Sequence, residues 1–184
     1  MKIYYTRHGE TIWNAENKVC GITDISLTEK GLQQARLLSE KVDVVGDIDI
    51  IISSPLSRAR ETAGIIANKI GKDVIIDARF SEWDYGKYEG IDRYASYEEG
   101  KPMFQEAKLE FSARIGETGE SLFQVAHRVY SALDDIMENY NNANVLIVSH
   151  GGVCRIIETY HRNMTRLEFS KYFFDNCELN FWET

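Results

Sequence analysis

Four short runs rich in β-branched residues set the frame of this chain: KIYYT (2–6), DIDIIIS (47–53), KDVIID (72–77) and NVLIVS (144–149). Their apolar character is continuous more than alternating, as expected of strands covered on both faces. Helical patterns lie between them. Thr28 is placed to cap a helix in which Leu32, Ala35 and Leu38 recur at three-residue steps, with Glu29 favourable in the first turn. Residues 57–70 put Ala59, Ala63, Ile66 and Ile70 on one stripe, and Gly71 can end that helix. Residues 119–140 repeat the pattern through Leu122, Val125, Val129, Leu133 and Ile136, and a further helix is expected after His150 through Val153, Ile156 and Ile157. The stretch CELNFWE (177–183) reads as a late edge strand. Strands alternating with helices predict an α/β domain with a largely parallel sheet. Ligands of such sheets bind beyond the carboxyl ends of the strands, so the strand-to-helix junctions are where chemistry is expected.

One domain accounts for the whole chain. Its 184 residues are 43% hydrophobic, enough for a proper core, and only two prolines and no Gly/Ser tract leave no obvious linker. Residues 91–118 break the alternation: they are charged, aromatic and weakly periodic, and are expected to form a helical insertion or lid. A formal charge of −8 does not suit nucleic acid, which calls for a basic face, and requires any anion site to be positive locally. The opening MKIYYTRHGE has no apolar h-region, and no stretch approaches 18 apolar residues; a cytoplasmic protein that does not span a membrane is expected. Cys20, Cys154 and Cys177 are odd in number and lack metal-like spacing, which fits free thiols in a reducing compartment and no structural zinc.

Three junctions carry residues that a core would not use. Arg7, His8 and Gly9 follow the first run; Ser54, Pro55 and Leu56 follow the second, with Arg58 opening a helix; His150, Gly151 and Gly152 follow the fourth. Parallel strands would bring all three to one sheet edge. Arg7 and Arg58 then offer bidentate forks for a phosphate dianion, and Gly151 and Gly152 let backbone N–H groups approach it at a helix start. A neutral imidazole is a competent nucleophile towards phosphorus, and Arg, His⁺ and N–H groups would stabilise the equatorial oxygens. The departing alkoxide needs a proton. Glu82, in the aromatic-rich segment FSEWDYGKYEG, is the leading candidate for general acid and then base, with Glu10, Asp84 and Glu89 as rivals. Glu10 is equally placed to order His8 or Arg58. Arg60 competes with Arg58 but reads as helix surface, and His127 and His161 read as structural or solvent-facing.

Taken together, RHGET, SSPLSRARETA, SEWDYGKYEG, GETGES and VSHGG resemble, in order, the motifs of the histidine phosphatase superfamily, in the branch with cofactor-dependent phosphoglycerate mutases and fructose-2,6-bisphosphatases. The resemblance implies a phosphoglycerate mutase-like three-layer α/β/α sandwich and a phosphohistidine intermediate, with no metal and no cofactor. It implies that His8 is the nucleophile, that Arg7, Arg58 and His150 hold the phosphoryl group, and that Glu82 is the proton donor. It also places Asn14 near the phosphate site, Gly21 in the substrate-side loop and Thr11 at the first motif's last position. The SEWDYGKYEG pattern resembles the phosphatase branch more than the mutases, which carry an Arg-His-Tyr-Gly run after the glutamate and adjacent arginines in a longer insertion. Here residues 91–118 hold only Arg93 and Arg114, far apart. The expected reaction is hydrolysis of a small-molecule phosphate ester; mutase-type transfer and a non-catalytic phospho-ligand binder are the alternatives. Two departures, Cys20 before Gly21 and Ser26 before Leu27, leave the substrate unspecified.

Overall fold

The computed structural model describes residues 1–94 and 111–184. Strands β1 (Lys2–Arg7), β2 (Ile50–Ser53), β3 (Val74–Ile76), β4 (Val145–Ser149) and β5 (Leu179–Glu183) form one sheet in the order β3-β2-β4-β1-β5. The four strands β1 to β4 pair in parallel, and β5 runs antiparallel to β1 along the outer edge. The expected edge strand is therefore in place, and the sheet is mixed but mostly parallel.

Among the described residues the α-helices are α1 (Ile12–Ala15), α2 (Glu29–Val45), α3 (Ser57–Ile70), α4 (Leu122–Asn139), α5 (Gly151–His161) and α6 (Arg166–Lys171). Thr28 caps α2 by accepting the Gly31 N–H at 3.0 Å, and Gly71 ends α3 in the left-handed conformation. The pleat divides the sheet between two cores. Tyr4, Ile51, Leu146 and Val148 face Ala35 and Leu38 of α2 and Ala63 and Ile66 of α3. Ile3, Tyr5, Ile52 and Ile147 face Val129 and Leu133 of α4 and Val153 and Ile157 of α5. Helices on both faces make the three layers. Leu133 is fully buried in the second core, so its replacement by Ala would cost about 2–5 kcal/mol.

Two runs are shorter than their apolar character suggests. Asp47 precedes β2 and takes hydrogen bonds from Lys2 Nζ at 3.1 Å and Tyr4 Oη at 2.9 Å, while the Asp49 carboxylate accepts from the Asn144 backbone at 2.9 Å. Those carboxylates pin the sheet's lower edge instead of joining it. In β3, Ile75 and Ile76 are exposed because this strand is the other edge and lacks the second covering layer.

The register matters most for function. Arg7 pairs with Ser149 and Ser53 with Val148, so the carboxyl ends of β1, β4 and β2 lie level and side by side. The expected helical lid over 91–118 falls mostly on residues 95–110, outside the described residues; the described flanks, 91–94 and 111–118, run as turns and bends.

Candidate active site

His8 follows β1 directly, and its backbone N–H donates to the Ser149 carbonyl at 2.9 Å, which fixes it against the end of β4. Its ring Nδ1 lies 2.6 Å from the Gly9 carbonyl oxygen. A carbonyl only accepts, so Nδ1 carries the proton and the lone pair belongs to Nε2. The ring is held neutral: burial, then the Arg58 and Arg7 guanidiniums, keep its pKa well below the usual histidine value.

His150 packs edge-on against His8, ring centroids 5.0 Å apart. Its tautomer is the opposite one. Arg58 Nε donates to His150 Nδ1 at 3.2 Å, leaving the proton on Nε2, 2.8 Å from Ser54 Oγ. The expectation of an imidazolium here is corrected. Burial and the adjacent Arg58 push the His150 pKa well below its ordinary value, so it is a neutral donor.

Arg58 is fully buried at the first turn of α3, where the stripe of Ala59 and Ala63 docks the helix on the sheet. Beyond His150 it donates through Nη2 to the Gly21 carbonyl at 2.6 Å and through Nη1 to the Thr23 carbonyl at 2.9 Å. Gly21 thus acts on Arg58 through its carbonyl. Arg60 is exposed, as expected. Arg7 donates through Nη1 to the Phe174 carbonyl at 2.9 Å, sits over the Phe173 ring, and keeps a buried Nε with no partner among the described residues. Gly151 lies against that guanidinium, with room at van der Waals distance for a Cβ 3.6 Å from Arg7 Nε. Close approach alone therefore does not require glycine at 151.

It does at 152. Glu82 accepts the Gly152 N–H on Oε2 at 3.1 Å and the Trp83 N–H on Oε1 at 2.9 Å. A Cβ on residue 152 would stand 2.5 Å from Glu82 Oε1. The carboxylate thus caps the start of α5, where the helix dipole favours an anion, one residue pair away from His150. Its loop is held from α4: Arg128 donates to the carbonyls of Arg79 at 2.6 Å, Ser81 at 2.7 Å and Glu82 at 3.1 Å.

The rival carboxylates are occupied elsewhere. Glu10 pairs with Lys30 at 2.7 Å, which holds it below the usual carboxylate range, and anchors the start of α2 rather than His8 or Arg58. Asp84 accepts the Gly86 N–H at 2.8 Å. Glu89 accepts N–H groups of Ile22 at 2.9 Å, Thr23 at 2.8 Å and Tyr85 at 3.2 Å, and the Thr23 hydroxyl. His127 is exposed, and His161 stacks on Trp182 on the far part of α5.

Arg7, His8, Asn14, Glu82, Gly151 and Gly152 line one cleft, with Arg58 and His150 buried beside it. Asn14 Oδ1 accepts the Thr11 N–H at 3.2 Å in the cap of α1, leaving its amide N–H₂ for the cleft. Thr11 belongs to that cap. The same cleft takes in Cys20, Arg93 and Arg155, and Asn176 donates to the His8 carbonyl at 2.7 Å. Sequence reasoning missed these last three residues. Arg155 had a usable signal, because it lies four residues after Gly151 on the same helical face. Among the described residues no group of three or more His, Cys, Asp or Glu side chains has the arrangement to hold a metal ion.

Paired histidines and arginines at the carboxyl edge of a mostly parallel sheet, helices on both faces, define the class: a three-layer α/β/α protein with a cleft lined by guanidiniums. The chain belongs to the histidine phosphatase superfamily, branch 1, whose family model matches residues 3–184. It is 40% identical over 153 residues to a protein of Enterobacter sp. (strain 638) named "Probable phosphoglycerate mutase GpmB", a match covering 82% of this chain and 70% of that protein. Among solved structures, Bacillus stearothermophilus YhfR superposes with a TM-score of 0.86 at 28% identity, over 99% of this chain and 90% of the other. A mutant phosphoserine phosphatase of Entamoeba histolytica, in complex with phosphoserine, superposes with a TM-score of 0.82 at 30% identity, over 98% and 89%.

Proposed function

We propose that the protein is a metal-independent phosphomonoesterase acting through a phosphohistidine on His8. In the first step His8 Nε2 attacks phosphorus, the bond from phosphorus to the ester oxygen breaks, and Glu82 in its acid form protonates the departing oxygen. In the second, Glu82 takes a proton from water, whose oxygen attacks phosphorus. The phosphorus–nitrogen bond breaks, its electron pair returns to Nε2, and inorganic phosphate leaves. Three of the five Arg58 N–H groups are committed to His150, Gly21 and Thr23, which leaves two, with those of Arg7, for the phosphoryl oxygens. Asn14 and the backbone at Gly151 add neutral donors, and His150 contributes by holding Arg58, its own Nε2–H being given to Ser54 Oγ. The charge of the transferring group is met by guanidiniums, so no step requires a metal.

The observation that carries this reading is the His8 tautomer: Nδ1–H tied to Gly9 and a neutral ring leave the Nε2 lone pair as the only reactive atom, in a cleft that also holds Glu82. Replacement of His8 by Ala should abolish turnover of phosphate esters and the acid-labile phosphoenzyme, with a chelator leaving the wild type unaffected. Near-normal turnover by the variant would overturn the mechanism. A second reading, mutase-type transfer, is favoured by the name of the 40% identical relative. The two separate on incubation with 3-phosphoglycerate and a bisphosphate primer: hydrolysis releases free phosphate, and transfer releases the 2-isomer. A cytoplasmic location and a small-molecule ester as substrate complete the reading; no helix among the described residues is long and apolar enough to cross a membrane.

A further inference from the structure

The proton on His8 Nδ1 rests on one acceptor, the Gly9 carbonyl. Glycine is the residue least able to hold its own carbonyl in place, because no Cβ restricts its φ and ψ. Gly9 cannot be exchanged for a stiffer residue, since a Cβ there would run into the Gly31 carbonyl of α2. The tautomer that leaves the lone pair on Nε2 therefore depends on whatever fixes the two peptides on either side of Gly9.

Both are fixed from outside. In the His8–Gly9 peptide, the His8 carbonyl accepts from Asn176 Nδ2 at 2.7 Å and the Gly9 N–H donates to Thr62 Oγ1 at 3.1 Å. In the Gly9–Glu10 peptide, whose carbonyl takes the Nδ1 proton, the Glu10 N–H donates to Gln34 Oε1 at 2.8 Å. Side chains from α2, α3 and the turn before β5 thus grip two consecutive peptides. Thr62 is fully buried, and its hydroxyl donates to the Arg58 carbonyl at 2.7 Å, so one group ties the His8 loop to the helix that carries Arg58. A threonine bonded only to the carbonyl four residues back would be ordinary helix chemistry. The Gly9 bond is not. The turn that presents Asn176 is strained as well: Cys177 has a φ of 60°, a left-handed conformation rare for residues with a Cβ, and its N–H donates to the Arg7 carbonyl at 2.9 Å.

We infer that Gln34, Thr62 and Asn176 are positioning residues of the His8 imidazole: they hold the Gly9 carbonyl on Nδ1 and so keep the lone pair on Nε2. This rests on the reading of His8 as nucleophile and adds the groups that prepare it. The hydrogen bond made by one ring nitrogen decides which form the other takes, and a displacement of ~1 Å at a reacting atom slows a reaction ~10²-fold.

The test compares Thr62→Val, which keeps the shape and loses the hydroxyl, with Thr62→Ser, which keeps the hydroxyl. Asn176→Ala and Gln34→Ala remove the other two contacts at half-buried positions, with Gln34→Glu restoring an acceptor, and they carry the test if Thr62→Val does not fold. Phosphoenzyme formation from p-nitrophenyl phosphate in a single turnover should slow about 10–100-fold in the Val and Ala variants and recover most of its rate in Thr62→Ser and Gln34→Glu, while the dissociation constant of inorganic phosphate stays within about threefold. Nitrogen-15 NMR of ring-labelled histidine reads the tautomer directly. Wild-type His8, assigned by its absence from His8→Ala, should show a protonated Nδ1 and a bare Nε2, and the Val and Ala variants a share of the opposite form. Protonation of wild-type His8 on Nε2, or an unchanged tautomer in all three variants, would overturn the inference whatever the rates. So would a rise in the phosphate dissociation constant large enough to account for the whole loss of rate, or a shifted tautomer with wild-type rates. A tautomer that shifts in the variants of a protein forming no phosphoenzyme would keep the positioning role and overturn the phosphatase.

Discussion

Replacing Glu89 by Gln isolates a contact that joins loop and charge. Glu89 receives hydrogen bonds from three backbone N–H groups and one hydroxyl, all but that of Tyr85 in the 22–23 loop. The carbonyls on the other side of that loop, at Gly21 and Thr23, hold Arg58. A glutamine keeps one accepting oxygen and turns an N–H₂ towards N–H donors, so about two charge-assisted bonds are lost. At ~1.5–3 kcal/mol each, and discounted by roughly half because Ile22 and Thr23 are exposed and water can step in, the loss is about 2–3 kcal/mol. For a chain of this length that is a fall in Tm of roughly 4–12 °C. Arg58 loses its fixed anchor, and kcat/KM should fall about 10–100-fold. The decisive comparison is between leaving groups. If Glu89 were the proton donor, p-nitrophenyl phosphate, whose leaving group needs no proton, would be spared while alkyl esters suffered. A positioning residue hurts both alike. Wild-type Tm together with wild-type kcat/KM would refute the argument, and selective loss on alkyl esters would reassign the acid to Glu89.

For Glu82→Gln the opposite split is expected: alkyl esters slow by about 10²–10⁴-fold, while p-nitrophenyl phosphate gives a stoichiometric burst of nitrophenol followed by slow release of phosphate, seen by stopped flow. Stability should decline as the medium is acidified below the ordinary histidine pKa. His8 and His150 have folded-state pKa values depressed well below 6.5, so the unfolded chain binds more protons there and stability falls with pH. The slope is up to about 1.4 kcal/mol per pH unit per histidine; urea unfolding between pH 6.5 and 5 measures it, and His150→Asn should remove about half.

What the sequence made legible is what is local. Arg7-His8, Ser54 to Arg58 and His150 to Gly152 are each a strand end running into a loop or helix, and parallel pairing does the rest, so level carboxyl ends followed from the order of elements alone. The tautomers were not legible, because they depend on the Gly9 carbonyl and on Arg58 Nε, atoms whose positions only the folded backbone decides. Glu89 read as a rival proton donor because its partners are backbone N–H groups, which every residue has and no motif displays. Arg93 and Asn176 meet the cleft only through the packing of distant segments, whereas Arg155 follows Gly151 by one helical turn and could have been placed there. The KDVIID run misled for a related reason: apolar continuity cannot tell an edge strand from a central one.

The acidic chain and the basic cleft are consequences of each other's geometry. With a formal charge of −8, surface lysines and arginines find carboxylates easily, as Lys30, Arg79 and Arg128 do. Arg7, Arg58 and Arg155 are buried and met by carbonyls, an imidazole or an aromatic face, and the half-exposed Asp24 carboxylate stands off at 3.9 Å from Arg58 Nη1. Such neutral partners orient a guanidinium without cancelling its charge, as a carboxylate at contact distance would. Burial first, and then the same uncancelled charge, keeps His8 neutral, since a further cation beside Arg7 and Arg58 is unfavourable. One arrangement therefore does two things: it makes the cleft attractive to phosphate and leaves His8, the proposed nucleophile, its lone pair. A carboxylate placed on Arg58 to stabilise the fold would weaken both at once, which is why the loop carbonyls of Gly21 and Thr23, themselves tethered by Glu89, occupy that position instead.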